Sequence, residues 1–214
     1  MKFEIRKILG IMELDAKGAP VHLLEKNSAS TPFETLIGTM LSARTKDTTT
    51  ARILPSLFDR TKTPDQMLKL SNRKLEKIIY GIGFYKTKSK RIHEISKILI
   101  SEYDGKVPST IEGLLGLPGV GRKTANIVLA RVFGKDTIGV DVHVHRISNR
   151  LGLVKTKKPE ETEKKLMVLV PANYRRKLNK IFVAYGQVIC LPKKPLCGKC
   201  KLNRICPKIG IKTS

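Results

Sequence analysis

Acidic side chains are scarce in this 214-residue sequence. There are 18 Asp and Glu residues against 42 Lys and Arg, so the formal net charge is +24 and the isoelectric point is near 10.1. A lysine-rich surface of the thermophilic kind brings matching glutamates, and these are missing here. The imbalance therefore indicates a polyanionic partner.

Two further absences indicate which polyanion this is. The sequence has no apolar run of about 18 residues, the length that spans a membrane, and no signal peptide or lipidation motif. We therefore expect no membrane partner and an intracellular location, in the cytoplasm and nucleoid or in a eukaryotic nucleus. Trp is absent and aromatic residues make up 5% of the chain, which disfavours single-strand binding on stacked aromatics. Contact with the backbone of a nucleic-acid duplex fits better.

Cysteine is missing from the first 189 residues and then occurs four times with the spacing C-x6-C-x2-C-x5-C, at Cys190, Cys197, Cys200 and Cys206. Disulfides more often link distant segments of small secreted domains, so this tight cluster predicts four thiolates on one metal centre. Zinc and iron–sulfur centres both accept four thiolates. Structural zinc sites usually repeat the C-x2-C knuckle, and only one is present.

Helix signals dominate the rest of the chain. Thr31-Pro32-Phe33-Glu34 has the pattern of a capping box with proline at the first helical position, and Thr63-Pro64-Asp65-Gln66 repeats it. Ser109 and Glu112 predict the start of a third helix. Convincing alternating strands are absent, so we predict an all-α fold. A buried stripe on a late helix is predicted at Leu178, Ile181, Phe182, Tyr185 and Val188.

A glycine turn, Pro118-Gly119-Val120-Gly121, separates two apolar helical segments. Glycines permit backbone angles that let successive N–H groups converge on one phosphate oxygen, and the next helix N-terminus adds positive charge. Taken alone, the motif could equally be a helix C-cap and tight turn. The charge of +24 favours phosphate binding. A second Gly-apolar-Gly motif, Gly81-Ile82-Gly83, precedes Phe84 and a run of positive charge at Lys86, Lys88, Lys90 and Arg91.

Lys123 lies just past the glycine turn, on the first turn of an apolar helix. Partial burial and the helix N-terminus both disfavour the ammonium form, which exposes the lone pair of a nucleophilic, Schiff-base-forming amine. Its neighbour Arg122 can act only as a cation. Asp141 occupies a helix N-cap position, where an ionised carboxylate is held in place and could stabilise a positively charged sugar.

Two histidines follow Asp141 on the same predicted helix. His143 and His145 alternate along the chain and so face different ways, which makes them a poor metal-binding pair. We expect His145 to be satisfied by hydrogen bonds, while His143 is a candidate for contact with DNA.

Together, these motifs resemble those of the endonuclease III family, helix–hairpin–helix DNA glycosylases with apurinic/apyrimidinic (AP) lyase activity. LPGVGRKTAN at 117–126 is similar to the family hairpin with its catalytic lysine, and GVDVHVHR at 139–146 to the segment with its catalytic aspartate. The cysteine spacing is similar to that of the family's iron–sulfur loop. The resemblance extends through TPFETLIGTMLSARTKD at 31–47 and GIGFYKTKSKR at 81–91.

The resemblance implies a monomeric, bifunctional enzyme of base excision repair that removes oxidised or damaged pyrimidines from duplex DNA. Lys123 would displace the base through a Schiff base, Asp141 would stabilise charge on the sugar, and β-elimination would cleave the strand 3′ to the abasic site. A six-helix barrel domain would span 25–135. A second helical domain, 1–24 and 136–214, would hold a [4Fe-4S] cluster in the loop 190–206. DNA would occupy the cleft between the two domains.

DNA-binding residues are also implied by the resemblance. Arg44 falls where a polar side chain fills the gap left by the flipped base, a position at which many relatives have glutamine. Phe84 matches a second, apolar wedge. The remaining contacts would come from the hairpin and from the basic cysteine loop: Gly119, Val120, Gly121, Arg122, Lys193, Lys194, Lys199, Lys201 and Arg204.

Two alternatives remain at this stage. A monofunctional uracil or thymine mismatch glycosylase would use water as the nucleophile, and Lys123 argues against it. A non-catalytic DNA-binding module would explain the charge, the glycines and the cysteines, but it gives no role to Lys123 and Asp141.

Overall fold

The computed structural model describes residues 4–26 and 31–211, and every regular element within them is helical. This confirms the predicted all-α fold class. No helix in these ranges has the length and apolar character needed to cross a membrane. The twelve α-helices are α1 (Ile5–Asp15), α2 (Pro20–Lys26), α3 (Pro32–Ser42), α4 (Asp47–Phe58), α5 (Pro64–Leu68), α6 (Asn72–Ile78), α7 (Tyr85–Tyr103), α8 (Ile111–Leu115), α9 (Arg122–Val132), α10 (Val142–Arg150), α11 (Pro159–Leu169) and α12 (Ala172–Val188). A short 3₁₀ helix follows at Cys197–Lys199.

The chain forms two compact units. The central unit is Leu23–Lys135, and the terminal unit combines Met1–His22 with Asp136–Ser214. Each unit has its own apolar core, so each positions its functional side chains on a separate packed scaffold. The central core is built from α3 to α9 and includes Leu36, Ile37, Leu41, Leu54, Leu57, Met67, Leu75, Ile95, Leu114 and Val128.

In the terminal unit, α12 is the central helix and contacts both α1 and α10. Four positions of the predicted stripe are buried, at Leu178, Ile181, Phe182 and Tyr185, and Val188 is partly buried against the same core. The helical period read from the sequence therefore identifies the face of α12 that packs inward.

The first capping box is confirmed. Thr31 Oγ1 accepts a hydrogen bond from Glu34 N at 3.2 Å, and Glu34 Oε2 accepts one from Thr31 N at 2.8 Å. Two backbone N–H groups that the helix leaves unpaired are thus satisfied by side chains, and α3 has a defined start.

The other two predicted helix starts need correction. Thr63 caps α5, as predicted. Gln66 Oε1, however, accepts from Lys62 N at 2.7 Å, so its side chain binds the residue before the cap and not Thr63 itself. The prediction of Ser109 as a cap is wrong. Thr110 caps α8 instead, and its hydroxyl accepts from Gly113 N at 3.1 Å. Adjacent Ser and Thr have the same capping chemistry, so packing decides the register.

Candidate active site

The glycine turn joins α8 to α9 in the central unit. Gly119 has a φ of +80°, and a Cβ at this position would lie 2.6 Å from Cδ of Arg91, so this residue requires glycine. Gly121 differs from the prediction because its φ is −92° and it has open space around it. Gly121 is the N-cap of α9, and it has no side chain that could cover the N–H groups of the first turn.

Lys123 is the second residue of α9 and is partly buried, as predicted. The six residues after it, 124–129, are all buried, and α9 packs against α3 and α8. A buried helix anchors the Cα of Lys123 on its first turn, directly after the glycine turn. The position suits an amine that must reach a substrate bound at the glycine turn.

Asp141 caps α10 in the terminal unit, which confirms the N-cap prediction. Its Oδ1 accepts from His143 N and from Val144 N, both at 2.9 Å. Two N–H donors hold the carboxylate in place and restrict its rotation. Asp141 is therefore a fixed negative charge at the N-terminus of α10.

The two histidines on α10 have different surroundings. The Nδ1 of His145 lies 2.7 Å from Thr162 Oγ1, which confirms its internal hydrogen bond. His143 packs so closely against Gly186 of α12 that a Cβ there would collide with its ring, and Arg146 Nη2 lies 3.2 Å from its Nδ1. The structure shows this packing role for His143, and its contact with DNA stays a prediction.

Arg44 and Phe84 lie next to each other in the central unit, on the loops that follow α3 and precede α7. Both have left-handed backbones, with φ values of 55° and 58°, and both side chains are exposed. The Arg44 guanidinium carbon lies 5.7 Å from the centre of the Phe84 ring, within cation–π range. The structure thus brings together two predicted site residues that are forty positions apart in sequence.

Gly83 explains how closely these two loops approach. A Cβ at Gly83 would collide with the carbonyl oxygen of Arg44, and Gly83 N donates to Thr45 Oγ1 at 3.1 Å. No other residue type fits at this crossing without moving one loop. The loops lie beside a cavity of about 320 Å³, lined by Met40, Ala43, Arg44, Phe84, Thr87, Lys88, Arg91 and Gly119. The cavity therefore joins the Arg44–Phe84 pair to the glycine turn.

Lys88 is buried, which its sequence context does not indicate. It belongs to the run of positive charge that follows Phe84, but it is only 8% exposed. Burial lowers the pKa of Lys88 to about 8. The helical period could have predicted this burial, because Lys88 shares one face of α7 with buried Ile92, Ile95 and Leu99.

The four cysteines line one pocket in the terminal unit, together with Arg150 and Tyr185. Arg150 Nη1 lies 3.3 Å from Cys190 Sγ, and the Tyr185 hydroxyl lies 2.9 Å from Cys200 Sγ. Burial raises the pKa of the Cys206 thiol. Within residues 4–26 and 31–211, no three His, Cys, Asp or Glu side chains are grouped as they would be around a single ion. The pocket thus presents four sulfur atoms and two hydrogen-bond donors.

Arg150 holds the start of the loop that carries these cysteines through hydrogen bonds. Its Nη1 donates to Leu191 O and its Nη2 to Pro192 O, both at 2.7 Å. Lys193 and Lys194 follow directly and are exposed, as a contact with phosphate requires. Lys201 has a protein partner as well, because its Nζ forms a 2.6 Å ion pair with Asp15 of α1. That lysine holds α1 to the cysteine loop.

The chain is similar to known DNA repair proteins in sequence and in fold. Residues 37–172 match the family described as HhH-GPD superfamily base excision DNA repair protein. Endonuclease III of Thermotoga maritima is 49% identical over 82% of this chain and 82% of its own length. A solved structure of a non-covalent endonuclease III–DNA complex has a TM-score of 0.86 and 33% identity, covering 97% of this chain and 96% of that one.

A second solved structure, of a trapped endonuclease III–DNA covalent intermediate, superposes with a TM-score of 0.83. It is 32% identical and covers 97% of this chain and 96% of that one. Sequence and fold therefore agree over nearly the whole length. The chain belongs to the HhH-GPD superfamily of base excision DNA repair proteins and, within it, to the endonuclease III family.

Proposed function

We propose that this protein is a bifunctional DNA glycosylase and AP lyase that removes oxidised or damaged pyrimidines from duplex DNA inside the cell. The observation that carries this proposal is Lys123, a partly buried amine on the first turn of the helix that follows the glycine turn. Membership of the endonuclease III family supports it. So does the covalent DNA intermediate described for a relative with the same fold.

The glycine turn and the basic side chains bind the DNA backbone. The uncovered N-terminus of α9 at Gly121, with Val120 and Gly119 before it, binds a phosphate. Arg122, Lys193 and Lys194 add positive charge, which gives affinity without reading sequence. We assign the six-helix barrel and hairpin to the central unit, and the cysteine loop to the terminal unit.

The Arg44–Phe84 pair enters the duplex where the damaged base leaves it. Extrusion of a base costs a few kcal/mol, less for a distorted lesion. An aromatic ring and a guanidinium can stack in the gap and donate hydrogen bonds to the orphaned base. The left-handed backbones project both exposed side chains next to each other, as such a wedge requires.

Lys123 Nζ attacks C1′ of the extruded nucleotide as the N-glycosidic bond breaks, and the departing base takes the bonding electron pair and a proton. Asp141 stabilises positive charge on the sugar and assists proton transfer. Ring opening gives an iminium between Lys123 and C1′. Loss of a proton from C2′ then drives elimination of the phosphate from C3′, which cleaves the strand on the 3′ side.

The four cysteines fit a [4Fe-4S] cluster. Cys190, Cys197, Cys200 and Cys206 line one pocket. Arg150 donates to Cys190 Sγ there, which suits a thiolate, and the Tyr185 hydroxyl contacts Cys200 Sγ. Base excision needs no electron, so the bound cluster would supply a fixed shape to the loop 190–206 rather than redox chemistry. Arg150 holds the start of that loop, and Lys193 and Lys194 follow it.

The decisive experiment is borohydride trapping with a duplex that contains one thymine glycol. A Schiff base is reduced to a stable adduct, so we expect a protein–DNA band on a denaturing gel. Lys123→Gln should abolish the adduct and strand cleavage while DNA affinity is kept. Lys97→Gln removes the same charge from an exposed site on α7 and should leave the adduct unchanged.

Other outcomes separate the competing functions. Base release without an adduct in the wild type would identify a monofunctional glycosylase that uses water. Neither release nor adduct, tested across several oxidised pyrimidines and an AP site, would identify a DNA-binding module. Normal strand cleavage by Lys123→Gln would show that another residue is the nucleophile.

A further inference from the structure

Lys88 is a buried ammonium whose two acceptors are main-chain carbonyl groups. Its Nζ donates to Leu41 O at 2.9 Å and to Ala43 O at 2.6 Å. Removing a charge from water costs several kcal/mol unless hydrogen bonds compensate. Methionine would fill the same space without that cost, so the position of this charge needs an explanation.

The carbonyls that Lys88 binds lie at the end of α3, immediately before Arg44. Helix C-termini leave their last carbonyls without intrahelical partners, and Leu41 and Ala43 belong to this final turn and its cap. Thr45 Oγ1 also donates to Leu41 O, at 3.0 Å, and accepts from Gly83 N. The donors of Lys88 and Thr45 thus meet on the segment that presents Arg44.

Lys88 is tied equally to the segment that presents Phe84. Its own backbone N–H donates to Phe84 O at 3.0 Å, in the first turn of α7. One residue therefore contacts the Arg44 loop through its side chain and the Phe84 loop through its backbone. Its side chain also lines the cavity that Arg44 and Phe84 border.

The left-handed backbones of Arg44 and Phe84 need contacts that hold them. A non-glycine residue in that region is strained by about 1–2 kcal/mol and persists only where its surroundings hold it. Arg44 and Phe84 are both in this state. Their exposed side chains contact each other, and the buried contacts to the two backbones come from Lys88 and the Gly83 crossing.

We propose that Lys88 is a positioning residue that holds the Arg44 loop against the Phe84 loop, so that the two side chains are presented as a preformed pair. The consequence for base excision rests on the proposed function, in which this pair enters the duplex. Lys88 itself does not contact DNA in this mechanism. It lowers the cost of inserting the pair, because the pair is ordered before DNA binds.

The test combines Lys88→Met with Arg44→Ala in a double-mutant cycle. Single-turnover release of thymine glycol from a duplex is measured for the wild type, both single variants and the double variant. We expect Lys88→Met to slow release about tenfold in the wild-type background and less than about twofold beside Arg44→Ala. An equal factor in both backgrounds would overturn the proposal, since Lys88 would then act independently of Arg44.

Native-state proteolysis supplies a readout that does not depend on activity. Trypsin cleaves after arginine only when the chain locally opens, so cleavage after Arg44, identified by mass spectrometry, should be about tenfold faster in Lys88→Met. Lys97→Met, an exposed change on the same helix, should leave it unchanged. Unchanged cleavage in Lys88→Met would also overturn the proposal.

These measurements separate the two proposals. A wild-type protein that releases no base refutes the proposed function, while the proteolysis comparison still tests the role of Lys88. Circular dichroism at the assay temperature establishes that each variant is folded. If Lys88→Met does not fold, Lys88→Gln, which keeps a polar donor at this site, is compared with Lys97→Gln by the same assays.

Discussion

The Tyr185 hydroxyl lies 2.9 Å from the Sγ of Cys200, although the ring belongs to the buried face of α12. A hydroxyl that donates to a cluster thiolate stabilises the more reduced cluster and raises its reduction potential. With the proposed cluster bound, Tyr185→Phe should therefore shift the potential to a more negative value. Voltammetry of the wild type and variant measures the shift, and Tyr174→Phe on the same helix is the control.

Arg44 should influence which base is preferred opposite the lesion. Arginine has only donors and pairs well with the two acceptors of guanine, whereas glutamine can both donate to and accept from adenine. Arg44→Gln should move the ratio of kcat/KM for lesions opposite guanine and adenine toward adenine by about tenfold. Arg60→Gln, an exposed change elsewhere in the central unit, should leave the ratio unchanged.

The two glycines of the hairpin should differ in their effect on stability. Gly119→Ala places a Cβ at a φ of +80° and against Arg91, so it should reduce the free energy of unfolding by about 1–2 kcal/mol. Gly121→Ala at φ −92° has open space and should change it by less than about 0.5 kcal/mol. Urea unfolding followed by circular dichroism measures both. Equal losses would contradict the different roles given to these glycines.

The salt dependence of DNA affinity should show which lysines of the cysteine loop contact phosphate. Each phosphate contact contributes about 0.9 to the slope of log K against log salt concentration. Lys193→Gln with Lys194→Gln should thus reduce that slope by nearly twice this amount. Lys201→Gln should leave it almost unchanged, because Lys201 pairs with Asp15. Fluorescence anisotropy with a labelled duplex at several salt concentrations gives the slopes.

The Lys88 side chain should titrate near pH 8, below the ordinary value of 10.5. Between these two pH values the unfolded state binds the extra proton, so this residue makes the free energy of unfolding increase as pH rises. The increase should be at most about 3 kcal/mol, because one pKa unit is about 1.4 kcal/mol.

Nuclear magnetic resonance of protein labelled with ¹³C at the lysine ε carbons should show a titration near pH 8 that is missing from Lys88→Met. Urea unfolding should show a smaller pH-dependent increase in that variant. A Lys88 resonance that does not change until pH 10 would contradict the expected shift.

Local chemistry allowed part of the site to be predicted from sequence. Thr31 with Glu34, and Asp141 before α10, have capping partners within three residues, so neighbouring positions contain the necessary information. The buried stripe of α12 follows from the helical period in the same way. All three predictions concern helix starts and faces, which depend on short-range contacts.

Long-range packing determined what the sequence did not reveal. The ion pair of Lys201 joins residues from opposite ends of the chain, and no local pattern encodes it. The burial of Lys88 was not predicted because its acceptors lie more than forty positions away in sequence. The strained backbones of Arg44 and Phe84 likewise depend on the crossing at Gly83.

The terminal unit is assembled from both ends of the chain, and this determines the order in which the protein can fold during synthesis. Helix α1 packs on α12, so its buried face has no partner until residues 172–188 leave the ribosome. The central unit is complete after residue 135 and can fold first. The cysteines follow α12 in the sequence, so the proposed cluster could bind only after both helices have been synthesised.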